Sequence, residues 1–241
     1  VTFPMSYSPL ARKVPGVRAP ETARSRRVWG FLIHTTGGGV TDKAARTGKT
    51  PLQVAIETYI ASQNGANGYF WGGPHYVADF DGTLHQIAPD EAFTAHAGGP
   101  NRDKYLFGSW KTIVSSETVF QWQRRWPMMK HPYSMFPSTS PNADYVGLEM
   151  IPVGDGFGGS SMAPGLRFTR AQHDAVIALG HDLAKRHQWP DGWFNGGRLV
   201  CHEDVDPIER SDAHGGWDPG VMRDKPYFDL EYVKRGLLSA S

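Results

Sequence analysis

Apolar positions come in short dense runs broken by glycine-rich and polar stretches. Val28-Trp29-Gly30-Phe31-Leu32-Ile33-His34 is the first such run, and Thr35-Thr36-Gly37-Gly38-Gly39 ends it. That pattern predicts a buried strand, which leaves His34 at a strand end beside a flexible loop. Thr50-Pro51-Leu52-Gln53 then combines a capping Thr, Pro at the first helical position and Gln three residues after the cap, the signature of a helix start. Leu52, Ala55, Ile56, Tyr59 and Ile60 recur at helical spacing and Gly65 closes the element, so the spacing predicts a helix over 51–63.

His75 to Asp79 and Thr83 to Ile87 read as two strands flanking Asp81-Gly82, a dipeptide suited to a tight hairpin turn. Tyr145-Val146-Gly147-Leu148-Glu149-Met150-Ile151 is another mostly apolar strand, carrying one acid, Glu149. A second capping box, Thr169-Arg170-Ala171-Gln172, opens a long helix in which Val176, Ile177, Gly180, Leu183, Ala184 and His187 share one side, and Pro190 ends it. Arg198-Leu199-Val200-Cys201-His202 predicts a short strand that delivers His202 into an Asp-rich loop, and Tyr232, Val233 and Leu237 suggest a short terminal helix.

Strand, helix, hairpin, strand, helix, strand is the order of an α/β domain with a central mixed β-sheet flanked by helices. Residues 1–27 hold four Pro and several Arg without periodicity, so they are expected to form an irregular arm ahead of a domain over 28–238. Residues about 100–142 interrupt the pattern with Trp110, Trp122, Trp126 and a Met pair, and connections this long are usually functional or structured in their own right. The rings could stack on sugar faces or pin the insertion to the core.

At 241 residues the chain can bury a substantial core within one large domain. Lys and Arg together number 25 against 24 for Asp and Glu, so no global field draws the protein to nucleic acid or to an anionic membrane. No run approaches the roughly 18 apolar residues of a membrane span, and the first 28 residues lack the apolar stretch of a signal peptide. The expectation is a monomer with no membrane insertion and no visible export signal. A single cysteine, Cys201, excludes an intramolecular disulfide framework and a Cys-rich zinc cluster. Any metal site must therefore use His and carboxylate.

Of ten histidines, His34 and His202 each end an apolar strand and enter a polar loop, and strand ends are where sites tend to be assembled. Zinc held by three protein ligands, with a fourth position open, activates water and polarises a carbonyl. Two His plus a carboxylate from the loop after His202 would supply such a site, with Asp204, Asp206, Asp212 and Asp218 as candidates that spacing does not separate. His214 is a rival ligand. No His-Glu-x-x-His helix exists, so the common metalloprotease motif is absent. His75 and His85 alternate with apolar neighbours and are expected to make structural hydrogen bonds.

Five stretches occur in a telling order: Gly30-Phe31-Leu32-Ile33-His34-Thr35-Thr36, His75 to Thr83, Thr94-Ala95-His96-Ala97-Gly98, Val146-Gly147-Leu148-Glu149 and Val200-Cys201-His202-Glu203-Asp204. Their order resembles that of the type 2 N-acetylmuramoyl-L-alanine amidases, which share a fold with peptidoglycan recognition proteins. The resemblance runs from about Val28 to Asp218, interrupted by the Trp-rich segment. It implies Zn2+ as cofactor, with His34 and His202 as ligands and, ten positions after the second His, Asp212 as the third. It also implies that Glu149 is the general base toward the attacking water. Where the family usually has Lys, two positions before the aspartate ligand, this chain has Arg210, which keeps the charge in a planar fork rather than a point. His96, in the His-Ala-Gly turn, would line the substrate groove.

The implied reaction is zinc-dependent hydrolysis of the amide between N-acetylmuramic acid and L-alanine in peptidoglycan or a muropeptide. Three settings fit: a phage-type endolysin held in the cytoplasm until release, a cytoplasmic enzyme recycling anhydro-muropeptides, and an exported amidase. The opposing class is a peptidoglycan-binding module that does not cut, and filled ligand positions argue for the enzyme.

Overall fold

The computed structural model describes residues 5–15, 27–36, 38–63, 72–97, 109–135, 137, 140–153, 165–210, 218–222 and 226–239. Strands β1 (Ala11–Lys13), β2 (Gly30–Thr35), β3 (Tyr76–Ala78), β4 (Leu84–Gln86), β5 (Tyr145–Met150) and β6 (Leu199–Cys201) form one sheet in the order β1-β4-β3-β5-β2-β6. The β3–β4 pair is antiparallel and the other pairs are parallel, so the sheet is mixed. No helix among the described residues is long and apolar enough to cross a membrane.

Strand alternation sorts the core into two faces. Phe31 and Ile33, Tyr76 and Ala78, Val146 and Leu148, and Leu199 and Cys201 point to one side, where helices α6 (Arg170–His187) and α8 (Leu230–Leu238) cover them. The intervening residues point to the other side and meet two separate apolar clusters. Leu32, Tyr145 and Val200 pack against Trp110, Trp122 and Trp126, which come from α3 (Trp110–Ile113), α4 (Ser116–Arg125) and the turn after it, ahead of the one-turn helix α5 (Pro141–Asp144) that leads into β5. Val77 packs against Ala55, Ile56 and Ile60 of α2 (Pro51–Gln63). Between those clusters, on the same face, lie His34, Gly147 and Glu149.

The expected caps form. Gln53 and Thr50 exchange backbone-to-side-chain bonds at the start of α2, and Thr169 with Gln172 closes a full capping box on α6. The hairpin turn is wider than a two-residue loop: the Gly82 N–H donates to the Asp79 carbonyl at 3.0 Å, with Gly82 at φ +81°.

Two departures from the sequence pattern have physical reasons. The segment after β2, expected as a loop because of its glycines, starts helix α1 (Gly38–Thr47), which packs on α2 rather than standing alone. The arm, expected to be irregular, supplies β1 as an edge strand beside β4, which satisfies backbone groups that an edge would otherwise leave open. Side chains sew it down: Ser6 donates to both Glu91 carboxylate oxygens, through N–H at 2.7 Å and hydroxyl at 2.6 Å, and the Ser8 hydroxyl donates to Asp182 at 2.7 Å.

Behind the arm, Asp90 is fully buried and accepts from Tyr76 at 2.6 Å, from His187 at 2.9 Å and from Arg186. Burial alone would raise the Asp90 carboxyl, but the His187 and Arg186 donors outweigh it and hold the group low. Its contribution to stability is therefore present above the ordinary carboxylate range near pH 4 and is lost as pH falls through the lowered folded value. Asp90→Asn removes one charge of a buried pair and should cost about 3–5 kcal/mol at neutral pH. Urea titrations at pH 7 and pH 3 check this: the deficit should be large at the first pH and smaller at the second.

Candidate active site

Strand β2 runs between β5 and β6, and its register sets His34 directly opposite Glu149. The chain leaves β6 at Cys201, and His202 opens the one-turn helix α7 (His202–Val205), on the same face as His34. After the segment 211–217, the chain returns with Asp218, whose backbone carbonyl accepts from Glu203 N–H at 3.0 Å. Three elements thus deliver His34, His202 and Asp218 to one point.

There His34 Nδ1 lies 2.9 Å from His202 Nδ1, and Asp218 Oδ2 lies 2.8 Å from His202 Nδ1 and 3.7 Å from His34 Nδ1. Asp218 Oδ1 accepts from Thr35 N–H at 2.6 Å, which fixes the carboxylate plane. Burial opposes charge on Asp218, but the two imidazoles outweigh it and hold the carboxyl well below the usual range. His34 is pushed down to about 4, first by burial and then by His202, against a raising effect of Asp218. At neutral pH this leaves a neutral imidazole facing a carboxylate.

A hydrogen-bond relay fixes the tautomer of His34. His96 Nε2 sits 3.1 Å from the Tyr145 carbonyl, which can only accept, so that nitrogen carries a hydrogen. In the neutral ring Nδ1 is then an acceptor, and His34 Nε2, 2.9 Å away, donates to it. The Nδ1 lone pair of His34 is left aimed at His202 and Asp218. Such a relay is the usual outer support of a metal-ligating His. His96 itself is only 8% exposed and stands edge-on to His34.

Ligand atoms of His34, His202 and Asp218 all lie within 4.8 Å of one another. Two imidazole nitrogens and a carboxylate oxygen, converging from one side, match the donor set and count of a catalytic zinc site. Among the other acids weighed from sequence, Asp204 is turned to Arg125 and Trp126, and Asp206 accepts the Glu209 N–H. Asp212 and His214 lie outside the described residues.

Glu149 flanks this cluster on β5. Its Oε2 is buried and finds no hydrogen-bond partner among the described residues, and its carboxyl is raised well above the ordinary range, by burial first and then by the charge of Asp218, with Arg210 opposing. Arg210 is half-buried, with no partner for its Nε among the described residues, and its charge acts on both Glu149 and His34. Tyr59 of α2 lies within reach of the site's charges: burial first, and then Glu149 and Asp218, raise its hydroxyl well above the usual value. Helical spacing marked Tyr59 only as an apolar position, and nothing in the sequence set it apart.

The sequence profile of the N-acetylmuramoyl-L-alanine amidase family (Amidase_2) matches residues 24–221. The chain belongs to this family. Its reaction is hydrolysis of the amide bond between N-acetylmuramic acid and L-alanine, and peptidoglycan is its substrate. A search of curated proteins finds no match. Among solved structures, a selenomethionine derivative of AmpD superposes with TM-score 0.52 at 16% identity, covering 97% of each chain, and shares the fold. The endolysin LysCS from Clostridium intestinale URNW superposes with TM-score 0.44 at 18% identity, covering 96% of this chain and 97% of that one. The Ph2119 endolysin from a Thermus scotoductus MAT2119 bacteriophage gives 0.45 at 14% identity, covering 90% and 88%.

The amidase strand β5 carries glycine where the relay crosses it. A Cβ on Gly147 would stand 2.5 Å from His96 Nδ1 and 2.7 Å from its Cγ, and the ring is tied on both nitrogens, to His34 and to the Tyr145 carbonyl. The neighbouring His75 ring is held as expected for a structural histidine, accepting Gly147 N–H at 3.0 Å with Nε2 at 3.0 Å from the Ala92 carbonyl. Gly147→Ala should destabilise the protein by about 1–3 kcal/mol through overpacking. In denaturant titrations the double variant with His96→Ala should recover part of that loss, since the two sites couple directly.

Proposed function

We propose that the amidase is a zinc enzyme whose metal is held by His34, His202 and Asp218. The observation that carries this reading is the convergence of two Nδ1 atoms and one carboxylate oxygen beside Glu149. Asp212, expected as the carboxylate ligand from the resemblance, is the rival third ligand. What supports Asp218 is its place against both imidazoles. Bound there, zinc would supply a Lewis acid and an activated water at neutral pH.

Hydrolysis forms a C–O bond to the carbonyl carbon, breaks the C–N bond and moves a proton from water to the departing amine. Glu149 suits both halves of that transfer. Its carboxyl is raised well above the ordinary range, by burial first and then by Asp218, which makes it a stronger proton acceptor than an ordinary Glu. Arg210 presents a fixed positive charge to the same space, so we assign it to the negative oxygen that develops on the substrate carbonyl. His96 holds His34 in the ligating tautomer in this reading, in place of the groove contact expected from sequence.

We further propose an endolysin-type setting, with intact wall as the substrate form and soluble anhydro-muropeptides as the rival. Initial rates on purified sacculi and on soluble muropeptides separate the two: an endolysin-type enzyme is faster on sacculi, a recycling enzyme on the fragments.

Incubation of the zinc-loaded protein with muropeptides and sacculi, followed by mass spectrometry, should show free stem peptide beginning at L-alanine. Folded, metal-loaded protein that releases none would sink the reading. Chelation should abolish turnover and added zinc should restore it. Glu149→Gln should retain zinc yet lose about 10²–10⁴-fold in rate, and loss of metal in that variant would contradict the division of labour.

A further inference from the structure

Immediately after His202 come two acids, Glu203 and Asp204, both 0% exposed. Neither side chain is spent on helix α7 alone. The Glu203 carboxyl group, which burial pushes up to about 8, accepts N–H groups from Gly220, at 2.9 Å, from Val221, and from Met222, at 3.3 Å. Those three residues are the turn that leaves Asp218. The Glu203 N–H in return donates to the Asp218 carbonyl at 3.0 Å, so a single residue grips the Asp218 segment from both sides.

Asp204 grips in the opposite direction. Its Oδ2 accepts from Cys201 N–H, the residue before His202, at 2.7 Å and from Arg125 Nη2 at 2.7 Å. Its Oδ1 accepts from Trp126 Nε1 at 3.0 Å, and its backbone carbonyl accepts from Trp122 Nε1 at 2.9 Å. Every one of these donors but the Cys201 N–H comes from the Trp-rich insertion. Trp122 is 0% and Trp126 7% exposed, so their rings are committed to the core and their N–H groups to Asp204.

Burying a carboxylate costs several kcal/mol before partners repay it, and apolar residues of similar size often serve stability as well or better. Two adjacent buried acids, one bonded to the turn that follows Asp218 and the other to the residue before His202 and to the insertion, fit a demand for geometry instead. We propose that Glu203 and Asp204 are positioning residues for the metal: Glu203 sets Asp218 relative to His202, and Asp204 ties the His202 turn to the insertion, which acts as a rigid brace. The inference rests on the zinc site proposed above and concerns the support behind it.

The test measures the zinc dissociation constant by chelator competition and the visible absorption of the cobalt-substituted protein, in wild type, Glu203→Gln, Asp204→Asn and Trp122→Phe. Leu183→Ala, in the core on the opposite face, is the control for general destabilisation. Glu203→Gln and Asp204→Asn should weaken zinc binding about 10–100-fold and shift the cobalt bands. Trp122→Phe, which keeps a ring but loses the donor to Asp204, should show a smaller rise. Leu183→Ala should lower the melting temperature while leaving affinity and bands as in wild type. Folded variants with wild-type affinity and bands overturn the brace, as does an equal loss in Leu183→Ala. If Asp204→Asn does not fold, Glu203→Gln and Trp122→Phe decide. A wild-type chain that binds neither zinc nor cobalt overturns the zinc site itself, and the brace falls with it.

Discussion

Parallel pairing of β2 with β5 on one side and β6 on the other is the constraint on which the site depends. It sets His34 opposite Glu149 and places Cys201 opposite Ile33, so that the next residue, His202, emerges on the face of His34. Because side chains alternate along a strand, a slip of one residue in either pairing would carry the site residues to the face covered by α6 and α8. The apolar residues on that covered face, among them Phe31, Ile33, Leu148 and Cys201, therefore specify the register. Core packing on one side of the sheet thus determines chemistry on the other.

That other side is built from two apolar clusters with a polar gap between them. The insertion fills one end through Trp110, Trp122 and Trp126, and α2 fills the other through Ala55, Ile56 and Ile60. Groups left in the gap are desolvated and stand close to one another's charges, which is the condition that moves pKa values apart. Glu149 is driven up by burial and by Asp218, while Asp218 is held down by the imidazoles. Two neighbouring carboxyls are thus shifted in opposite directions, Glu149 upward and Asp218 downward.

Much of this was legible in the sequence wherever a signal was local. The capping residues Thr50 and Thr169 marked helix starts that form as expected, and the apolar runs ending at His34 and His202 marked the strands that deliver them. What local pattern could not express was partnership across the chain. Nothing near Asp218 tells it from the other acids of its loop, since its distinction is a position against His34, 184 residues earlier. His96 likewise carries a family-like turn, but its bond to His34 arises only once β5 offers a glycine at 147 for the ring to cross. The helices of the insertion were hidden because their long-range partners, Asp204 above all, lie far downstream.

Which atoms hold the metal is tested most directly by an anomalous difference map collected at the zinc absorption edge from zinc-grown crystals. One strong peak is predicted within about 2.0–2.2 Å of His34 Nδ1, His202 Nδ1 and an Asp218 carboxylate oxygen. A peak bound by Asp212 with Asp218 turned away, or a peak elsewhere in the molecule, would contradict it.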